Sequence, residues 1–171
     1  HDVGSVAAPP GTSGGAVVDG RPVRAVVLAM PDPQAFDLLG DDLPDAAAVL
    51  DTDWQSVVTV VASFAERTWP AFEGLFVHGS ALSLVVDDGR RRGDAAPVLV
   101  AHTTHEAALA HLDDPAGAVP MALAEMRRLI AGVGEPVWTE AKRWGSAEPR
   151  QPRTQTFWMG RHDVVLCGDG W

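Results

Sequence analysis

Short apolar runs separated by turns rich in glycine, proline and aspartate dominate the pattern along this chain. Residues 23–30 are almost continuously apolar, which is typical of a strand buried on both faces. Residues 163–167 form a second such run, followed at once by Gly168, Asp169 and Gly170. A buried strand that ends in a Gly-Asp turn brings a carboxylate and bare backbone to a ligand at the carboxyl edge of a sheet.

The middle of the chain has a different pattern. Runs rich in β-branched residues, or with alternating polar and apolar residues, predict further strands at 57–64, 81–86, 97–101 and 137–144. Apolar residues fall on one face of a helix at Val119, Leu123, Met126, Ile130 and Val133. The sequence therefore predicts an α+β fold: antiparallel strands with helices on one side, and interior strands of an α/β sheet at both ends.

Local signals place the element ends. Asp32 is predicted as the N-cap of a helix over 33–39, and a second helix is expected at 45–50. Thr103 with Glu106 forms a capping-box pattern. Turns are predicted at 19–20 and 87–90, and a loop at 148–153, from their Asp-Gly and Pro-rich composition. Val3 and Val6 are assigned to a first strand.

Charge and composition exclude several classes of function. The net charge of −10 argues against a nucleic-acid partner. No apolar run reaches the ~18 residues that a membrane helix needs. The only cysteine, Cys167, is interpreted as a core residue and suits a reducing cytosol. The first residue is not Met and no signal-peptide pattern follows, so we expect a fragment or a processed chain.

Histidine spacing does not favour a metal site. His105 and His111 are six residues apart, unlike the i,i+4 pair that a helical metal site uses, and His102 precedes the helix. We interpret them as surface or capping residues. No Gly-x-Ser-x-Gly elbow is present to anchor a hydrolase triad.

Two tryptophans share one face of the strand predicted at 137–144. Trp138 and Trp144 are separated by multiples of two, with Glu140 and Lys142 between them on that face. One interpretation is an aromatic wall over a flat cofactor or amine. The other is a sheet face covered by the rest of the protein.

Five segments, in this order and spacing, resemble renalase-like NAD(P)/FAD-dependent amine oxidases. Residues 25–39 are similar to the family's return strand and following helix, and residues 74–92 to a strand pair with its polar turn. Residues 97–112 resemble the next strand and helix, and 142–149 a strand of the type basic–Arg–Trp–x–x–Ala–x–Pro. Residues 164–171 resemble the late flavin-contacting strand with its Gly-Asp motif.

The resemblance implies a chain made of two kinds of domain. Residues 1–32 and 159–171 would be parts of a Rossmann-like FAD-binding domain, and residues 33–158 the substrate-binding domain. The family's Gly-x-Gly-x-x-Gly unit is absent from this sequence. We therefore expect these 171 residues alone to bind FAD weakly, because the pyrophosphate would lack its main backbone donors.

The resemblance also implies cofactor-binding residues: Gly168, Asp169, Gly170, Trp171, Ala29, Met30, Pro31 and Val3. Asp169 would accept a hydrogen bond from the ribityl chain of the flavin, and the glycines would let the backbone approach the pyrophosphate. The alternative for Asp169 is an ordinary turn at a strand end, and for Trp171 the edge of a core. Substrate contacts would come from Trp144, Lys142 and His78; the last two stand where the family more often has His and Asn.

The implied activity is FAD-dependent oxidation in the cytoplasm, by hydride transfer from an amine or dihydronicotinamide-like substrate to flavin. No metal and no membrane partner is expected, and the sequence identifies no catalytic side chain, since the cofactor carries the electron chemistry. The alternative is a non-catalytic binding module whose fold resembles a substrate domain.

Overall fold

A computed structural model describes residues 2–11 and 14–171. The strands are β1 (Val6–Ala7), β2 (Ala16–Val18), β3 (Arg21–Val23), β4 (Val26–Ala29), β5 (Trp54–Ser63), β6 (Gly74–Phe76), β7 (Leu82–Asp87), β8 (Val98–Thr103), β9 (Trp138–Pro149), β10 (Trp158–Met159) and β11 (Val164–Cys167). The helices are α1 (Asp32–Leu38), α2 (Pro44–Ala47), α3 (Asp88–Arg92), α4 (His105–Leu109) and α5 (Val119–Leu129). The predicted α+β class is confirmed. None of the described helices is long and apolar enough to cross a membrane.

The chain divides into two compact units, each with its own apolar core. Unit 1 consists of the described residues up to Gln55 together with Ser146–Trp171, and unit 2 is Ser56–Gly145. The predicted boundaries between the FAD-binding and substrate-binding domains lie elsewhere, after residues 32 and 158. Helices α1 and α2 account for much of this difference, since their buried Ala35 and Ala46 pack into the core of unit 1. Which unit binds cofactor and which binds substrate stays a prediction.

Unit 1 contains two small sheets. One is an antiparallel meander of β1, β2 and β3, with the predicted turn at Asp19 and Gly20 between its last two strands. In the other, with order β10-β11-β4, β11 pairs in parallel with β4. The two apolar runs at the ends of the sequence are therefore neighbours. Leu28, Val164 and Leu166 from this pair lie in the core of unit 1.

The strand β4 corrects one prediction. Burial on both faces was expected of residues 23–30, but the strand covers only Val26–Ala29 and its Val27 is 59% exposed. Only one face of β4, that of Leu28, is buried. An almost continuous apolar run does not distinguish a strand covered on two faces from one covered on a single face.

Unit 2 is built on a sheet of order β6-β7-β8-β5-β9, in which β6, β7, β8 and β5 pair antiparallel. Buried residues alternate along its central strands, as Val58, Val60 and Ala62 do on β5. The amphipathic helix predicted around Leu123 and Met126 is confirmed, since both are buried in the same core. The helix ends at Leu129, however, so Ile130 and Val133, which were predicted on the same helical face, lie beyond it.

Two local predictions in unit 2 are wrong: the cap of one helix lies one residue later than predicted, and a predicted turn is a short helix. Thr103 is not the cap of α4: it is a buried strand residue whose hydroxyl accepts from the Val58 N–H at 3.0 Å. The cap is Thr104, which accepts from the Ala107 N–H at 3.2 Å. The turn predicted at 87–90 is helix α3, because Asp87 caps its start.

Glu125 on α5 should make unit 2 sensitive to acid. Hydrogen bonds from Arg128, at 2.8 Å, and from the Ser80 hydroxyl hold the pKa of Glu125 below its ordinary value of 4.5. A lowered folded-state pKa contributes stability that is present above the unfolded pKa and is lost as pH falls through the folded one. We expect Glu125→Gln to reduce the fall in thermal stability between about pH 5 and about pH 3.

Melting temperatures across this pH range test the prediction, and the exposed Glu66→Gln is the matched control. Glu66→Gln should follow the acid dependence of the unsubstituted protein. The same acid-side decline in Glu125→Gln would contradict this role of the carboxylate.

Candidate functional site

The end of β11 forms a tight turn. The Trp171 N–H donates to the Gly168 carbonyl oxygen at 3.0 Å, so Asp169 and Gly170 are the central residues of the turn. Gly168 has a φ of 125°, a conformation that side-chain-bearing residues rarely adopt. Asp169 is exposed and Gly170 is buried. In this turn the Asp169 carboxylate is therefore accessible to a ligand, whereas the neighbouring Gly170 is enclosed by the protein.

The end of β4 lies beside this turn. Cys167 is the register partner of Ala29, so the two parallel strands end at the same edge. A Cβ placed on Gly168 would lie 3.4 Å from both the nitrogen and the oxygen of Met30. The chain then continues through Pro31 into α1. The structure thus brings the predicted residues Ala29 and Met30 together with the Gly168 turn.

Arg153 binds the turn through the carbonyl group of the buried Gly170, a role that the sequence did not predict. Its backbone N–H and its Nη1 both donate to the Gly170 carbonyl oxygen, each at 3.1 Å. Its Nη2 donates to Asp32 Oδ2 at 2.6 Å and to the Val49 carbonyl oxygen at 2.5 Å. The guanidinium carbon lies 4.0 Å from the centre of a Trp171 ring, in cation–π contact. One side chain therefore links the turn to the start of α1.

Asp32 is the anionic partner of Arg153, and only 1% of it is exposed. The sequence predicted it as an N-cap, but Pro31 occupies that position and Asp32 is the first helical residue. Besides Arg153, its Oδ2 accepts from the Asp51 N–H at 2.8 Å. Its Oδ1 is buried without a hydrogen-bond partner among the described residues. Loss of Arg153 would therefore leave Asp32 buried without a cationic partner.

Gly170 lacks a side chain for a reason within unit 1. A Cβ at this position would lie 3.0 Å from the Trp54 ring and 3.3 Å from Arg153 Nη1. Trp54 is itself held by a hydrogen bond from its Nε1 to the Asp51 carbonyl oxygen at 2.9 Å. The missing side chain therefore leaves room for the anchoring residues. A cofactor contact at Gly170 stays a prediction.

Sequence reasoning missed Asp32, Arg153 and Trp54 as parts of this site. The one available signal was the place of Asp32 directly after a strand whose partner ends in Gly-Asp, since parallel strands bring their carboxyl ends together. Arg153 carried no comparable signal, because it lies in a polar, proline-containing segment.

Val3 does not belong to the first strand, which begins at Val6. It is 44% exposed. The Gly4 and Ser5 N–H groups that follow it donate to Asp19 Oδ1 at 2.9 Å each. Contact of Val3 with an adenine ring stays a prediction.

Trp144 and Lys142 are adjacent on β9 in unit 2. The Lys142 ammonium lies 4.6 Å from the centre of the Trp144 ring. The Trp144 Nε1 donates to Thr59 Oγ1 on the neighbouring strand at 3.0 Å, which fixes the indole. Trp138 is 51% exposed and Trp144 47%. Within unit 2, Lys142 and Trp144 therefore form a partly exposed cation–aromatic surface.

His78, the third predicted substrate contact, is not part of that surface. It is exposed in the segment between β6 and β7, whereas Trp144 is on β9 at the other edge of the sheet. A substrate contact at His78 stays a prediction.

Among the described residues, no group of three or more His, Cys, Asp and Glu side chains could hold a metal ion. His105 instead accepts a hydrogen bond at its Nδ1 from the Ser56 N–H at 3.0 Å. Cys167 is a free thiol, half-buried at the end of β11.

Comparison with known proteins finds likeness in structure alone. No family model matches the sequence, and no curated protein matches it significantly. Several solved structures are similar in fold, and three of them follow. An inferred protoporphyrinogen oxidase from Exiguobacterium sp. 255-15 has a TM-score of 0.61 and 19% identity over 91% of this chain. An oxidoreductase from Methanosarcina mazei has a TM-score of 0.64 and 14% identity over 99%.

The third structure is the PF1083 protein from Pyrococcus furiosus, with a TM-score of 0.55 and 10% identity over 99% of this chain. The chain covers only 39%, 43% and 40% of the three structures in turn. At these identities the likeness defines the fold alone. Activity, substrate and cofactor belong to the proposal that follows.

Proposed function

We propose that this chain supplies part of the FAD site of an oxidoreductase, with Asp169 as its main cofactor contact. The observation that carries the proposal is the parallel pair β4–β11, which ends beside an exposed carboxylate on a glycine-flanked turn. Ligands of α/β sheets bind at this kind of edge. The structural likeness to an oxidoreductase over 99% of the chain supports the same conclusion.

The residues at this edge suit the ribityl part of FAD. Asp169 is exposed and accepts hydrogen bonds when ionised, as a hydroxyl-bearing chain requires. Gly168 has no side chain to obstruct the approach of a ligand to the backbone beside Met30. These residues offer the pyrophosphate fewer backbone N–H donors, because the sequence has no Gly-x-Gly-x-x-Gly segment. The fit is therefore to one part of the cofactor.

The chemistry that a bound flavin supplies is the acceptance of a hydride from the substrate. In this proposal, the substrate is an amine or a dihydronicotinamide-like molecule. Trp144 and Lys142 offer it a fixed indole with a cation against the ring. The role of these side chains is to orient a flat molecule and exclude water from it.

Anaerobic reduction tests the proposed reaction. The product of the complete coding sequence would be purified with its flavin and mixed, without oxygen, with a dihydronicotinamide or with a primary arylalkylamine, which has the α-C–H bond that hydride transfer requires. We expect one of the two to bleach the visible flavin absorbance, and Trp144→Ala to slow the bleaching by about two- to tenfold, as loss of one stacking contact predicts. Flavin that stays oxidised with both compounds would contradict hydride transfer from these substrates.

A non-catalytic binding module is the second candidate function. The exposed Trp138 and Trp144 favour it. The coding sequence upstream of this chain separates the two candidates. An in-frame Gly-x-Gly-x-x-Gly unit there supports the oxidoreductase, and a start codon directly before residue 1 supports the module.

A further inference from the structure

The position of the Asp169 carboxylate depends on Gly170. Asp169 itself is exposed, whereas Gly170 is the buried residue of the turn. The turn has its own hydrogen bond, from the Trp171 N–H to the Gly168 carbonyl oxygen. That bond fixes the shape of the turn but not its direction relative to the rest of unit 1. A group that holds Gly170 therefore also sets the direction of Asp169.

Arg153 is the group that holds Gly170. Two N–H donors of this one residue, its backbone N–H and its Nη1, converge on the Gly170 carbonyl oxygen at 3.1 Å. The same guanidinium covers the ring of Trp171, the last residue of the turn, at 4.0 Å. A planar guanidinium can make these contacts together because its donors have a fixed fork geometry.

The guanidinium is itself fixed from the other side. It donates to the buried Asp32 carboxylate at 2.6 Å and to the Val49 carbonyl oxygen at 2.5 Å. Asp32 begins α1 and lies three residues after the end of β4. The Arg153 side chain therefore joins the ends of both parallel strands, and its position is determined by a buried ion pair rather than by solvent.

We propose that Arg153 is a positioning residue for the cofactor contact: paired with Asp32, it holds the Gly170 carbonyl and thereby directs Asp169 toward the flavin. The inference rests on the proposed function for the flavin contact. The mechanical part, that Arg153 orders the turn, stands on the geometry of unit 1 alone.

The test compares Arg153→Lys, Arg153→Met and the control Arg150→Met. Arg150 lies in the same segment and pairs with the exposed Asp53 at 3.0 Å, so its loss removes a cation but no contact with the turn. Arg153→Lys keeps the charge beside Asp32 and should fold, but an ammonium cannot reproduce the fork. When Arg153→Lys is made in the product of the complete coding sequence, we expect the flavin dissociation constant to rise about tenfold. This increase corresponds to the loss of roughly one charge-assisted hydrogen bond.

Amide hydrogen exchange of Trp171 is the second readout, and it needs no flavin. In the 171-residue chain, Arg153→Lys should speed exchange of the Trp171 amide about tenfold, Arg153→Met should speed it more, and Arg150→Met should leave it unchanged. Unchanged exchange in folded Arg153→Lys and Arg153→Met would overturn the proposal, as would unchanged flavin affinity in both. A protein that holds no flavin but shows faster exchange contradicts the proposed function and supports the ordering role of Arg153.

Discussion

Replacing Asp87 with alanine is expected to lower the free energy of unfolding by about 3–5 kcal/mol, the range measured when one partner of a buried ion pair is removed. Asp87 is completely buried. Its Oδ1 accepts from Arg67 Nη2 at 2.8 Å and from the Arg90 N–H at 3.1 Å. Its Oδ2 accepts from Trp69 Nε1 at 2.9 Å. Alanine would leave three donors without this acceptor in the core of unit 2.

Urea unfolding followed by tryptophan fluorescence measures the effect. Asp87→Asn keeps one acceptor oxygen and should lose less stability than Asp87→Ala. The exposed Asp113→Ala is the control and should change stability by less than about 0.5 kcal/mol. A change of that small size in Asp87→Ala would contradict the network as a source of stability for unit 2.

Replacing Asp169 with alanine is expected to weaken flavin binding by about 10–100-fold, while stability changes little. The affinity loss corresponds to one or two hydrogen bonds to a charged group. Stability should be almost unaffected because the hydrogen bond that closes the turn joins the backbones of Gly168 and Trp171 and does not use the Asp169 side chain.

Titration of the flavin-free product of the complete coding sequence measures this effect. Asp169→Asn, which keeps a carbonyl oxygen, should have an intermediate affinity. Asp37→Ala removes another exposed carboxylate of unit 1, on α1, and should bind flavin as the unsubstituted protein does. Equal affinities in Asp169→Ala and Asp37→Ala would remove Asp169 from the cofactor site.

The parts of the fold that follow local patterns could be predicted from the sequence. The run at 163–167 predicted β11, and the helical spacing of Leu123 and Met126 predicted α5, because periodic burial appears directly in the order of residues. The turn at Asp19 and Gly20 was predictable for a similar reason, since both residues have positive φ.

The site beneath Asp169 could not be predicted in the same way. Asp32 and Arg153 are 121 residues apart, and each had a sufficient local explanation as a cap or a loop residue. The same limit applies to Asp87, where an Asp-Gly turn signal concealed a buried acceptor for Trp69. Pairings of this kind depend on how distant segments pack, and a single sequence contains no direct signal of it.

A crystal structure of the product of the complete coding sequence with FAD bound is the most direct test of Asp169 as a cofactor contact. We expect an Asp169 carboxylate oxygen within about 2.5–3.2 Å of a ribityl hydroxyl. The Arg153 side chain should still contact Asp32 and the Gly170 carbonyl oxygen, as it does here. FAD bound at a distance from the Gly168–Trp171 turn would contradict the role of Asp169 as the main cofactor contact. An Asp169 side chain directed away from the FAD would contradict it as well.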